Sequence, residues 1–218
     1  MKYLLGTISL VVLLQTLPVI QSARASEAST DVSSTTIEKV VQSNLMTNLS
    51  DGKFHPQKLI SRAELAQILV KTFRLENRIA TKQTDVTVAD VPRNHWAYQD
   101  IQIVLKNDIM KGYRENMFFP NQRVTRAEAL AIFAQAYGVF QFPNDTVSEI
   151  LTPFPDAEQI PVWARKAIAT VVTEGYVNTD DQGNLQPLRP MTRGDMAYLL
   201  NRYLELDIPP RPKETRIP

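Results

Sequence analysis

Val124-Thr125-Arg126-Ala127-Glu128 decides the architecture, because it occurs again in altered form as Ile60-Ser61-Arg62-Ala63-Glu64 and Met191-Thr192-Arg193-Gly194-Asp195. In each copy a hydroxyl residue stands three positions ahead of an acid, and an apolar run follows. That spacing is a capping box: the hydroxyl accepts the third helical amide and the acid reaches back to the cap amide. Ser61 with Glu64 and Thr125 with Glu128 fit as written, and Thr192 with Asp195 is a shortened version. Each box therefore opens a helix. Leu65, Ile68, Leu69 and Phe73 form the apolar stripe behind the first, and Leu130, Ile132, Phe133 and Tyr137 that behind the second.

Working outward from Ser61, Thr125 and Thr192, the segments 32–73, 96–137 and 163–204 align without a gap. Five residues before the origin stand Pro56, Pro120 and Pro187; seven before, Phe54, Phe118 and Leu185; twenty-four before, Ile37, Ile101 and Ile168. Upstream of each loop the apolar residues have helical spacing. They are Ile37, Val40 and Val41 in the first copy, Ile101, Val104, Leu105 and Ile109 in the second, and Ile168, Val171 and Val172 in the third. Each unit thus reads as helix, loop, helix. The loops, such as Asp51-Gly52-Lys53-Phe54-His55-Pro56, hold turn formers and a proline that stops helix propagation.

The expected fold is all-α. Three capped helices bury their stripes against one another as a central three-helix bundle, and the first helices and loops form three arms of a pseudo-threefold spindle. The expected division is a flexible lead at 26–35, a degenerate repeat 1 at 36–74, repeat 2 at 86–138, repeat 3 at 153–206 and a proline-rich tail at 207–218. Linkers are expected at 75–87 and 138–153.

Residues 1–25 read as a secretory signal peptide. Lys2 gives a positive start, Leu4 to Leu14 is mostly apolar, and Ala23-Arg24-Ala25 is a small-x-small cleavage site. Gln15, Thr16 and Pro18 leave too short an apolar run for the roughly 20 residues that cross a bilayer. The mature chain is expected to be exported to the cell envelope, with no transmembrane span. Cysteine is absent, which excludes disulfides, thiolate metal sites and thiol catalysis. Loss of Lys2 and Arg24 would take the formal charge from +1 to −1. With its bases scattered, the chain has no footprint for nucleic acid.

These motifs resemble those of the S-layer homology (SLH) family. The three boxes are similar to its I-T-R-A-E motif, and Asp90-Val91-Pro92-Arg93-Asn94-His95-Trp96-Ala97 to its D-V-P-x-x-H-W-A lead-in. Gly112-Tyr113 and Asp51-Gly52-Lys53-Phe54 resemble its G-Y-x-D-G-T-F loop, and Phe154-Pro155-Asp156 with Trp163-Ala164 is a looser copy of the lead-in. Repeat 1 has Val32 at the tryptophan position, and repeat 3 has Arg-Gly-Asp where the family has R-A-E. The resemblance implies a spindle with grooves between arms. It also implies non-covalent attachment to cell-wall polysaccharide or peptidoglycan-linked material, often a polymer bearing pyruvate ketals. It would place the motif arginine on the ligand carboxylate and the lead-in tryptophan in or beside the groove.

Arg62, Arg126 and Arg193 each take the first position of a helix, where free amides and the macrodipole favour an anion, and a guanidinium fork binds a carboxylate bidentately. The alternative is an internal salt bridge to a neighbouring arm. Arg126 is the foremost ligand candidate of the three. Trp96 and Trp163 are either sugar-stacking platforms or arm-to-bundle packing, and Tyr113 has the same two readings. Ser61, Glu64, Thr125, Glu128, Thr192 and Asp195 are read as caps, not catalytic acids. His55 and His95 have no companion ligands for a metal. Asn178 to Arg189 resembles a calcium loop only weakly, since Arg189 stands where the last acid belongs. No metal, cofactor or catalytic site is expected.

The expected function is binding of cell-envelope polysaccharide, as anchor or organiser. The alternative is a structural or assembly protein whose repeats pair with other envelope proteins, and an envelope hydrolase has only scattered carboxylates in its favour. No payload domain is expected after the last repeat.

Overall fold

The three capping boxes form as pairs of reciprocal bonds. Ser61, Thr125 and Thr192 accept the amides of Glu64, Glu128 and Asp195, whose carboxylates accept the cap amides in return. They open α2 (Arg62–Phe73), α4 (Arg126–Tyr137) and α7 (Arg193–Glu205). The computed structural model describes residues 32–206, and the expected signal peptide, most of the lead, and the tail at 207–218 lie outside them. The first helices of the repeats are α1 (Ser34–Gln42), α3 (Tyr98–Lys106) and α6 (Arg165–Thr173). Helix α1 starts inside the expected lead, because Ser33 caps it through the amide of Thr36. Among the described residues there are helices and isolated bridges but no strand.

A further helix, α5 (Asn144–Leu151), occupies the segment expected as a linker between repeats 2 and 3. It packs on α6 and buries Val147 and Leu151. Ile150 is partly buried against the core as well, and so few apolar positions do not announce a short helix in sequence.

The repeats interlock in cyclic order. Helix α2 packs on α3, α4 on α6, and α7 returns to α1, so each second helix covers the first helix of the next repeat. The residues just before the boxes close a ring of backbone bonds. The amide of Ile60 donates to Met191 O (3.0 Å), that of Met191 to Val124 O (2.8 Å), and that of Val124 to Ile60 O (3.4 Å). All three side chains are buried. Toward the other ends of α2, α4 and α7 the core is aromatic. Phe73 lies 5.0 Å from Phe133 and 5.4 Å from Tyr203, and Phe133 lies 6.1 Å from Tyr203, with tilted or edge-on rings.

Gly194 replaces the alanine of the other boxes for a steric reason. A Cβ there would meet Pro56 O at 3.2 Å, Pro56 Cβ at 3.3 Å and Val32 Cγ2 at 3.3 Å. Val32, the departure from the lead-in tryptophan, lies where that Cβ would point.

Candidate functional site

The helix N-termini are not open anion sites. In the first box the amides of Arg62 and Ala63 donate to Gln122 O (2.9 Å) and Pro120 O (3.0 Å). The amides of Arg126 and Ala127 donate to Arg189 O and Pro187 O, and those of Arg193 and Gly194 to Lys58 O and Pro56 O. The free amides expected beside each arginine are thus used to hold the next loop in the ring.

The arginines repeat the same grip. Nε of Arg62 donates to Phe118 O (2.8 Å) and its Nη2 to Lys111 O (2.8 Å). Arg126 does this with Leu185 O (2.8 Å) and Asn178 O (2.7 Å), and Arg193 with Phe54 O (2.9 Å) and Thr47 O. These carbonyls occupy equivalent positions, fourteen and seven residues before each origin. The guanidinium of Arg62 also lies over the rings of Tyr113 (4.7 Å) and Phe118 (4.6 Å), and that of Arg193 over Phe54 (4.5 Å). Burial draws all three guanidiniums below their ordinary pKa, opposed by nearby acids that include Glu128, Asp195 and Glu64 respectively. Each remains a cation. A fork at each seam therefore clamps the neighbouring repeat's loop.

The three seams differ in what surrounds the fork. Beside Arg193 is an open groove of about 570 Å³, whose walls include Glu64, Gln67, Lys58, Arg123 and Trp96. The indole of Trp96 is 58% exposed and stacks on His95 at 5.6 Å, while His95 Nδ1 accepts the Ala97 amide and fixes the turn. Three cations, Lys58, Arg123 and Arg193, face one acid, Glu64, which lies 3.7 Å from Arg193 Nη1. Trp163 is 63% exposed, and Tyr113 is exposed beside Phe119, at 5.3 Å. Neither tryptophan is packed into the core.

Arg126 has the most enclosed setting. It is 1% exposed, and its Nη1 reaches Asp195 Oδ1 at 2.9 Å and Asn178 Oδ1 at 3.1 Å. Arg126 is thus paired closely with an internal acid, whereas Arg193 borders the open groove, with Glu64 at 3.7 Å.

Two carboxylates that had no assigned role brace the loops. Asp90 accepts the amides of Phe118 (2.8 Å) and Phe119 (2.6 Å), and Asp156 those of Leu185 (2.9 Å) and Gln186 (2.7 Å). The groove bases Lys58 and Arg123 were not legible as a pair, since Arg123 is basic in one copy alone and the position of Lys58 is Gln122 in repeat 2. Asp180, in the segment that resembles a calcium loop, accepts bonds from Gln182, Asn184 and Gln186 and so organises the turn itself.

The family model for the S-layer homology domain matches residues 29–66, 89–130 and 153–197, one match per repeat. The chain belongs to the S-layer homology family. It is 30% identical over 83% of its length to the Surface-layer 125 kDa protein of Lysinibacillus sphaericus, of which the match covers 15%. It is 31% identical over 71% of its length to a Cellulosome-anchoring protein of Acetivibrio thermocellus, of which the match covers 34%. Cell surface glycoprotein 1 of Acetivibrio thermocellus is 29% identical over 71% of the chain, with 7% of that protein covered. The chain thus spans between 7% and 34% of the length of these relatives. What it shares with them is the SLH unit. No helix among the described residues is long and apolar enough to cross a membrane.

Proposed function

We propose that the protein is an exported SLH module that holds an acidic cell-wall polymer in the groove beside Arg193, as an anchor in the envelope and without a catalytic step. The observation that carries the reading is the groove itself, where Lys58, Arg123 and the edge of the Arg193 fork meet the exposed face of Trp96. A sugar bearing a carboxylate fits both halves: the ring stacks on the indole and the acid lies among the cations. A pyruvate ketal is the finer form of that ligand. The surface-layer and anchoring relatives support a role at the cell surface.

Co-sedimentation of the protein with purified sacculi, before and after mild acid removal of ketals, tests the reading. Loss of binding after acid supports a ketal held by the cationic groove. Binding that survives acid moves the ligand to the glycan or peptide, and absence of binding in both cases defeats the proposal in favour of a protein partner.

A further inference from the structure

Two of the side chains that set the third seam apart from the other two meet inside it. Asp195 is one methylene shorter than Glu64 and Glu128, and Arg189 stands where repeat 1 has Lys58 and repeat 2 has Gln122. The consequence is a closed constellation. Arg189 grips the Asp195 carboxylate with two parallel bonds of 3.0 Å, from Nη1 to Oδ2 and from Nη2 to Oδ1. Arg126 Nη1 holds Oδ1 from the other side at 2.9 Å. The amide and hydroxyl of Thr192 donate to Oδ2 at 2.9 and 2.7 Å, and Asn178 Nδ2 donates to Oδ1 at 3.3 Å. Asp195 is 0% exposed. Two guanidiniums and three further donors around one carboxylate are the makings of an anion site.

We infer that the third seam is a carboxylate-binding site occupied by the chain's own Asp195, which acts as a built-in ligand. The seam that carries the best copy of the family arginine is thereby withdrawn from external acids. The corresponding acid of repeat 1 shows the contrast: Glu64 caps its helix, lies 3.7 Å from the facing Arg193 and lines an open groove. A self-occupied seam locks the contact between repeats 2 and 3 and leaves wall polymer to the remaining seams. That last consequence rests on the proposed function, whereas the occupation by Asp195 does not.

Chemical rescue separates the two. Asp195→Ala removes the carboxylate and leaves Arg126 and Arg189 facing a vacated space of acetate size. Thermal unfolding is followed in sodium acetate against sodium chloride at equal ionic strength. The expected result is an acetate-specific rise in Tm of about 3–6 °C near ten times the dissociation constant, with no such rise for the wild type. Where the variant is unfolded in chloride, recovery of helical circular dichroism with acetate reads the same site. The double variant Asp195→Ala/Arg189→Ala should lose most of the response. An Asp195→Ala chain that responds alike to both anions overturns the inference. Calorimetric titration of the wild type with a methyl glycoside carrying a pyruvate ketal provides the second arm. One ketal bound at every seam would also overturn it, and no ketal binding alongside a positive acetate rescue would defeat the proposed function alone.

Discussion

Replacing Arg126 by alanine should cost far more stability than its role as a candidate ligand contact would suggest. The substitution removes the bonds to Leu185 O, Asn178 O and Asn178 Oδ1 and the contact with Asp195. Asp195 keeps its two bonds to Arg189, so the loss belongs near the low end of the roughly 3–5 kcal/mol seen when a buried pair is broken. Carbonyls left without their donor add about 1–3 kcal/mol, not fully additive. A total of about 4–6 kcal/mol follows, equivalent to a fall in Tm of roughly 10–20 °C for a chain of this size. That is a large part of the ~5–15 kcal/mol that holds a domain together. The assay is urea unfolding of Arg126→Ala beside Arg123→Ala, whose exposed side chain makes one surface bond to Leu59 O. Arg123→Ala should stay within about 0.5 kcal/mol of the wild type. A folded Arg126→Ala chain within about 1 kcal/mol of the wild type would refute the clamp. It follows that failure of Arg126→Ala to bind cell wall reads as ligand loss only if the variant is shown to be folded.

Gly194→Ala should destabilise by about 1–3 kcal/mol in thermal unfolding, through crowding against Pro56 and Val32, and Val32→Ala should relieve part of it. Asp90→Ala and Asp156→Ala should each cost about 2–3 kcal/mol in urea titration, because each leaves two loop amides without an acceptor. Acid should weaken the third seam. Burial pushes the Asp195 carboxyl up, but Arg126, Arg189 and Thr192 outweigh it and hold the group below the usual carboxylate range. The unfolded chain then binds the proton first, so this stabilisation is complete above the ordinary carboxylate pKa and is lost as pH falls through the folded one. The urea midpoint of the wild type should fall more steeply below about pH 4 than that of Asp195→Asn, and parallel curves would contradict the assignment.

Much of the architecture was legible because capping boxes and apolar spacing are local signals. Ser61, Thr125 and Thr192 announce their helices from a hydroxyl and an acid three residues on, and the repeat fixes the loops between. What escaped depends on contacts between distant residues. Helix α5 is held by α6, and its few apolar positions look like a linker. The fate of the arginines was illegible for a different reason: a guanidinium poised for a ligand and one clamping a carbonyl have the same sequence. Only the partners at Lys111, Asn178 and Thr47 tell them apart. The groove likewise joins bases from two repeats, Lys58 and Arg123, which become neighbours only when the ring closes.

The central claim is that one groove, built from Trp96 and those bases, holds the protein to the wall. The most direct measurement is a binding isotherm on purified sacculi for the wild type and for Trp96→Ala/Arg123→Ala, with equal unfolding midpoints established first. The account predicts saturable binding by the wild type and an affinity at least about tenfold lower in the variant, the scale expected when an aromatic anchor and a charge contact are lost. Equal affinity in the two would contradict it.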